Sequence, residues 1–146
     1  MDGEACPMPT NPSQREGDAI SRMLAAKRIA IVGLSDDPQR TSNNVGAYLQ
    51  RAGYQIIPIN PNCKTAVGQP ALASLSDLKQ PPDLVLVFRR SEHTPAIAEQ
   101  AVAAKAKGLW LQVGICNAQA RNIVEDSGLD YVEDRCMMVE HIRRRR

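Results

Sequence analysis

Residues 28–62 constrain the fold more than any other part of the chain, and they read RIAIVGLSDDPQRTSNNVGAYLQRAGYQIIPINPN. Residues 29–32 are continuously apolar, which predicts a strand covered on both faces. A polar loop follows, then a helix predicted at residues 42–52 with Gly53 as its stop, then a second buried strand at residues 54–59. This order predicts a βαβ unit whose helix begins at the carboxyl edge of a parallel sheet, a position suited to an anion.

The rest of the chain continues the alternation of strands and helices. Strands are predicted at residues 84–88, 109–113 and 129–132, and helices at residues 92–107 and 117–127. Short helices are expected after Asp18 and Ser74, and residues 61–73 are expected to be mainly loop. The pattern favours an α/β fold, a Rossmann-like three-layer sandwich with a mainly parallel sheet of about five strands, in the order 3-2-1-4-5 or one close to it.

The length of 146 residues fits one domain with a proper core. We expect a flexible N-terminal segment at residues 1–17, a folded domain at residues 18–142 and a basic tail at residues 143–146. No apolar run approaches the roughly 20 residues of a membrane span, and the first residues lack the apolar region of a secretory signal. The expectation is a cytoplasmic protein with no membrane partner.

The net charge of +2 is concentrated at the C-terminus. Residues 143–146 are all arginine, so the rest of the chain is net acidic. Aromatic residues make up only 3% of the chain, and neither a basic surface nor a base-stacking surface for nucleic acid is predicted. A frayed, solvated tail is expected, and a contact of the tail with RNA or an acidic partner is the alternative.

The four cysteines are far apart in sequence and form no C-x-x-C pair: Cys6, Cys63, Cys116 and Cys136. In a cytoplasmic chain we expect reduced thiols, and neither histidine has zinc-ligand spacing to them. Cys136 has two open interpretations. The neighbouring Arg135 would favour a reactive thiolate, whereas a small buried residue that fills space is the alternative. Cys116 has a similar but weaker claim to reactivity.

Polar and basic residues follow each predicted strand, and the carboxyl ends of parallel strands meet at one edge of the sheet. In the first loop, Arg40 offers a fixed fork of hydrogen-bond donors that suits a phosphate. Ser42 or Asn43 can be explained as a helix cap, but Arg40 cannot. The first loop is therefore predicted to bind an anion.

The dinucleotide fingerprint is missing from this edge. It requires G-x-G-x-x-G after the first strand, whereas Gly33 is followed by Leu-Ser-Asp-Asp-Pro. It also requires an acid at the end of the second strand, where this chain has Asn60. A P-loop is absent as well, since no Gly-Lys pair precedes Ser or Thr. These missing signals argue against an NAD(P)-binding protein or small oxidoreductase, which is kept as an alternative.

Four motifs taken together resemble one family: IVGLSDDPQRTSNNVGAYLQRAGYQIIPINP, DLVLVFRRSEHTPAI, LWLQVGI and DRCMMVEH. They are similar to the stand-alone CoA-binding domain proteins, which are related to the CoA-binding domain of succinyl-CoA synthetase α subunits. The resemblance covers about residues 18–142 and implies that CoA or an acyl-CoA binds at the carboxyl edge of the sheet. By motif it implies a ligand-binding set of Gly33, Leu34, Ser35, Arg40, Ser42, Asn43, Asn44, Asn60, Pro61, Lys64, Phe88, Arg89 and Gln112.

No catalytic arrangement can be identified in the sequence, so a non-catalytic carrier, sensor or regulator of CoA is expected. His93 is expected to be an exposed helix-start residue, whereas His141 fits a structural role beside Glu140 and a ligand role equally well. A third alternative is a protein-interaction subunit that keeps the fold and uses its arginine tail. A homodimer through residues 137–139 is also left open.

Overall fold

The computed structural model describes residue 6 and residues 13–145. The helices in this part of the chain are α1 (Gln14–Leu24), α2 (Thr41–Arg51), α3 (Thr94–Ala103), α4 (Ala118–Asp126) and α5 (Met137–Arg144). The strands are β1 (Arg28–Val32), β2 (Gln55–Ile59), β3 (Thr65–Ala66), β4 (Gln69–Pro70), β5 (Leu84–Val87), β6 (Gly108–Leu111) and β7 (Asp130–Val132). Short 3-10 helices lie at Leu75–Asp77 and Ser91–His93. None of the helices within the described ranges is long and apolar enough to cross a membrane.

The main sheet is parallel and has the strand order β2-β1-β5-β6-β7, while β3 and β4 form a small antiparallel hairpin. The α/β class and the parallel sheet are confirmed, but the predicted strand order is wrong, because β5 pairs with β1 instead of flanking β2. The outer edge of β2 is occupied by the loop that follows it, where the Leu72 N–H donates to the Pro58 carbonyl (2.9 Å). Pro58 itself has no N–H, and this favours an edge strand.

The sheet is covered on both faces because its strands alternate buried side chains between two apolar cores. The first core is shared with α1, α2 and α5 and contains Ile29 and Ile31 of β1. The second core is shared with α3 and α4 and contains Ala30 and Val32 of the same strand. Trp110 in β6 is fully buried in the first core. The packing on both faces fixes the strands, so their carboxyl ends lie side by side at one edge.

Helix α1 begins earlier than predicted. Its N-cap is Ser13 instead of Asp18, and the Ser13 hydroxyl oxygen accepts a hydrogen bond from the Glu16 N–H (3.1 Å). Residues 14–17, expected in the flexible segment, are therefore helical. The Arg135 guanidinium pairs with the Glu16 carboxylate (2.8 Å) and ties the first turn of α1 to the loop after β7.

The C-terminal residues form a helix where a frayed tail was expected. The Glu140 carboxylate is buried and accepts hydrogen bonds from Arg143 (3.2 Å) and Arg144 (2.8 Å), so these two arginines are helical and not frayed, although both residues are exposed to solvent. The His141 ring lies with Nδ1 2.7 Å from the Tyr48 hydroxyl oxygen. This contact joins α5 to α2 and is a structural role for His141.

Cys6 and Cys116 are joined by a disulfide, so the expectation of reduced thiols is wrong for this pair. Their Cα atoms are 5.7 Å apart, within the usual range for such a bond. The pairing was missed because the two residues are 110 positions apart, and sequence spacing does not reveal which cysteines meet in space. Cys63 and Cys136 are free and half-buried.

Asp83 holds the amino ends of β1 and β5 together. Its Oδ2 accepts hydrogen bonds from the Arg28 N–H (2.9 Å) and the Lys27 N–H (3.0 Å), and its Oδ1 lies 3.7 Å from Lys107 Nζ. The Arg28 hydrogen bond lowers the pKa of Asp83, with further lowering from Lys27 and Lys107, against a smaller raising by burial. The carboxylate is therefore stabilised in its ionised form.

We expect Asp83→Asn to lose about 1 kcal/mol of stability at neutral pH, since charge-assisted hydrogen bonds are replaced by weaker ones. The folded-state pKa lies below the unfolded value of about 3.9, so the contribution of Asp83 is present above that value and is lost as the pH falls through the folded pKa. The measurement is urea unfolding of both proteins at neutral pH and at about pH 3. A stability difference that stays the same at both pH values would contradict this account.

Candidate functional site

The crevice between β1 and β5 is the point where the strand order of the sheet reverses. From β1 the chain moves outward to β2, and it then returns to β5 on the opposite side of β1. Ligands of doubly wound sheets bind beyond the carboxyl ends of the strands at such a point. The predicted binding residues all follow β1, β2, β5 or β6, so the topology brings them to this one edge.

Gly33 brings the loop after β1 close to the end of β5. Its φ is +87°, and its N–H donates to the Ile59 carbonyl (2.9 Å). A Cβ at this position would lie 3.3 Å from Arg89 Cδ and 3.4 Å from the Phe88 carbonyl carbon. Both the backbone angle and the lack of space therefore require glycine here.

The loop after β1 is held in shape by its own polar side chains. The Ser42 hydroxyl oxygen accepts from the Ser35 N–H (3.0 Å), and the Asn43 amide donates to the Ser35 carbonyl (2.9 Å). The Ser35 hydroxyl oxygen in turn accepts from the Asp37 N–H (3.0 Å). Leu34 is fully buried, and its carbonyl accepts a hydrogen bond from the Asn60 amide (3.0 Å). The main contribution of these side chains is therefore the conformation of the loop.

The N-terminus of α2 has no side-chain cap. Its N-cap residue is Arg40, whose side chain makes no capping hydrogen bond and is exposed. An α-helix leaves its first N–H groups without intrahelical acceptors, and its dipole adds a partial positive charge at this end. Asn44 is exposed in the first turn, where its N–H donates to the Arg40 carbonyl (3.1 Å). The helix start can accept an anion.

Asn60 links the end of β2 to the loop after β1. Its amide nitrogen donates to the Leu34 carbonyl (3.0 Å), and its Oδ1 accepts from the Asn62 N–H (2.9 Å). A carboxylate has no proton to donate to the Leu34 carbonyl, which explains why an amide stands here where dinucleotide-binding proteins have an acid. Pro61 and Lys64 follow Asn60 and are exposed.

The ends of β5 and β6 contribute side chains of different kinds. Arg89 is exposed, whereas Phe88 is half-buried and packs against the first core. Gln112 is only 4% exposed, and its Oε1 accepts from the Met137 N–H (2.9 Å) at the start of α5. The bond that Gln112 makes in the structure thus positions α5.

Besides Arg90, which lies 3.9 Å from the Glu92 carboxylate, three exposed cations follow the strands of this edge: Arg40 after β1, Lys64 after β2 and Arg89 after β5. Within residues 13–145, no acidic group lies within ion-pair distance of any of them. Unpaired cations beside a helix N-terminus favour phosphate groups. The fold is that of a doubly wound α/β protein, and the charges at this edge are of the kind that favours a phosphate-type ligand.

The remaining candidates for chemistry are the thiols of Cys63 and Cys136 and the imidazole of His93. Burial, and then the nearby charge of Asp36, raises the pKa of the Cys63 thiol, so this thiol is disfavoured as a thiolate. Cys136 is the N-cap residue of α5, and it is half-buried where it packs against the first core. The Arg135 guanidinium beside it pairs with Glu16. His93 is exposed, as predicted.

Two features of this edge were missed from the sequence. Val113 was expected to end a buried strand, but β6 ends at Leu111 and Val113 is 64% exposed. Gly114, with φ +82°, turns the chain here, and a glycine after an apolar run is the one sequence signal of such an ending. The contact made by Ser91 was also missed: its hydroxyl oxygen accepts a hydrogen bond from the Cys116 N–H (3.1 Å) and joins the loops after β5 and β6.

The comparisons with known proteins agree with this architecture. A family model described as CoA binding domain matches residues 27–142. The uncharacterized protein YneT of Bacillus subtilis (strain 168) is 43% identical over 131 residues, which are 90% of this chain and 96% of that protein. The chain therefore belongs to the CoA-binding domain family, as the sequence motifs implied.

Two solved structures of similar length share the fold. A hypothetical protein from Pyrococcus horikoshii OT3 has a TM-score of 0.85 at 32% identity, covering 94% of this chain and 98% of that one. The protein cell-free ID.343 from Thermus thermophilus has a TM-score of 0.81 at 35% identity, covering 88% of this chain and 97% of that one. In both comparisons the aligned part covers nearly all of the solved chain, so the similarity extends over whole chains.

Proposed function

We propose that this chain binds CoA or an acyl-CoA at the carboxyl edge of β1, β2 and β5, and that it does so without catalysis, as a cytoplasmic carrier, sensor or regulator. The observation that carries the proposal is the set of three exposed cations that have no ion-pair partner among residues 13–145 and that lie at the same edge as the uncapped N-terminus of α2. The family to which the chain belongs supplies the identity of the ligand.

The residues at the edge fit the charges of CoA. The coenzyme carries a pyrophosphate and a 3′-phosphate, and such groups favour arginine, lysine and helix N-terminal N–H groups. Arg40, Lys64 and Arg89 would share the phosphates, with the partly exposed backbone at Gly33 approaching closely and the buried Leu34 supporting the loop. The other members of the proposed set would shape the walls: Ser35, Ser42, Asn43, Asn44, Asn60, Pro61, Phe88 and Gln112.

The alternatives have less support. An NAD(P)-binding protein would need an acid in place of Asn60, and here the Asn60 amide donates to the Leu34 carbonyl. An interaction subunit would use an arginine tail in which Arg143 and Arg144 already pair with the Glu140 carboxylate. Neither alternative accounts for the cations that follow β2 and β5.

The location of the site can be tested by titrating the ¹⁵N-labelled protein with acetyl-CoA and following the backbone amide signals by NMR. We expect the largest shifts in the first turn of α2, because N–H groups that point at phosphate change their environment most. The cavity of about 280 Å³ between α1, α4 and β7, lined by Arg22 and Arg121 among others, is an internal comparison. Larger shifts at that cavity than at α2 would contradict the proposed site.

A further inference from the structure

The disulfide between Cys6 and Cys116 lies at the same edge of the sheet as the proposed ligand site. Cys116 follows β6 at its carboxyl end, and its N–H donates to the Ser91 hydroxyl oxygen (3.1 Å). Ser91 comes two residues after Arg89. The loop that presents a phosphate-binding cation is therefore bonded directly to the loop that presents the disulfide.

We propose that Cys116 is a thiol–disulfide exchange site, at which the thiol of bound CoA forms a mixed disulfide with Cys116 and releases Cys6. This inference rests on the proposed function, since bound CoA delivers the thiol. The CoA thiolate attacks Sγ of Cys116, the Cys116–Cys6 bond breaks, and the Cys6 sulfur leaves as a thiolate that takes up a proton. One disulfide is consumed and one is formed, so no other oxidant is required.

The distances along the edge allow this reaction. Neighbouring strands are about 4.8 Å apart, so about 10 Å separate the carboxyl end of β1 from that of β6. The pantetheine arm of CoA carries the thiol further than this from the pyrophosphate. With the phosphates at the start of α2, the arm can cross β5 and bring the sulfur to Cys116. The exposed side chain of Val113 offers apolar surface beside this path.

Cys116 is better placed to accept the thiol than Cys6. It sits in a loop fixed by Ser91 and by Asn117, whose amide donates to the Ser91 carbonyl (3.2 Å) and whose Oδ1 caps α4. Cys6, in contrast, precedes the first helix and belongs to no helix or strand. In a thiol-reducing compartment, a disulfide is usually a transient or redox-sensing bond. Exchange with the ligand gives this disulfide such a role.

The test compares three probes on the oxidised full-length protein: CoA, acetyl-CoA, whose thiol is blocked, and glutathione, a thiol with no nucleotide. Adducts are measured by intact mass and located by peptide mapping. We expect a CoA adduct on Cys116 that forms at least about tenfold faster than the glutathione adduct, because binding raises the local thiol concentration. Cys63→Ser is the matched control and should leave the rate unchanged.

Single-cysteine variants test the position of attack. With CoA disulfide as probe, Cys6→Ser should form the CoA adduct on Cys116, whereas Cys116→Ser should label Cys6 at least about tenfold more slowly. Equal rates with CoA and glutathione, or labelling mainly at Cys6, would overturn the inference. Calorimetry with acetyl-CoA separates the two proposals: binding without preferential labelling refutes only the exchange site, and absence of binding refutes the proposed function.

Discussion

Arg40→Ala is expected to weaken CoA binding about tenfold, with the fold unchanged. Arg40 is exposed and unpaired among the described residues, so its removal costs the free protein no ion pair. In the complex, a charge-assisted hydrogen bond to phosphate is lost, and for an exposed group we expect about 1.4 kcal/mol, which is tenfold in Kd. The measurement is isothermal titration of both proteins with CoA at low salt.

Arg51→Ala is the matched control, because Arg51 is an exposed arginine at the opposite end of the same helix. It removes the same charge about 15 Å from the helix start, and its effect on Kd should stay below twofold. The tenfold loss for Arg40→Ala should also shrink as salt is added, because salt screens exposed charges. Equal affinities of the wild type and Arg40→Ala would refute the assignment of α2 as the phosphate site.

Trp110→Ala is expected to lower the free energy of unfolding by about 4 kcal/mol, more than Asp83→Asn or Trp110→Phe. Trp110 is fully buried, and truncation of a buried Trp costs about 3–5 kcal/mol through lost packing and the cavity that remains. The indole N–H also donates to the Arg135 carbonyl (2.8 Å), in the loop between β7 and α5. The measurement is urea unfolding followed by circular dichroism, since this is the only Trp in the sequence.

Trp110→Phe separates packing from hydrogen bonding at this position. It keeps an aromatic ring in the first core but leaves the Arg135 carbonyl without its donor, for which we expect a loss of about 1–2 kcal/mol. A loss of less than about 2 kcal/mol in the free energy of unfolding for Trp110→Ala would contradict the claim that packing around Trp110 stabilises the sheet.

The sequence predicts the βαβ unit well because the apolar runs of β1 and β2 and the helix between them all indicate the same structure. The strand order is harder, because periodicity says which segments are strands and not which strands are neighbours. Pro58 was the available clue, since a residue without an N–H favours an edge strand. Placing β2 at an edge leaves the inner side of β1 for β5.

At the site, the sequence predicts the position of residues better than their individual roles. The edge could be predicted because parallel strands bring their carboxyl ends together, whatever the details of each loop. Ser42 and Asn43 turn out to hold the loop at Ser35, and Gln112 bonds to the start of α5. Such contacts depend on distances between loops that no local pattern encodes.

The two ends of the chain could be predicted least. The first turn of α1, which begins after Ser13, is tied by the ion pair of Glu16 with Arg135 far along the chain. The last turn of α5 has an ion pair of Arg143 with Glu140 of the same helix. Charged residues in a low-hydrophobicity segment look the same in sequence whether they are paired or solvated. The Cys6–Cys116 bond is a further contact of this long-range kind.

The most direct test of the central claim is isothermal titration of the purified, reduced protein with CoA, with NAD and ADP as controls. The account predicts saturable CoA binding much tighter than NAD binding, because the phosphates of CoA match the three cations and Asn60 is unsuited to an NAD ribose. ADP should bind weakly, since it lacks the 3′-phosphate and the pantetheine arm. Absence of CoA binding at high protein concentration, or NAD binding as tight as CoA binding, would contradict it.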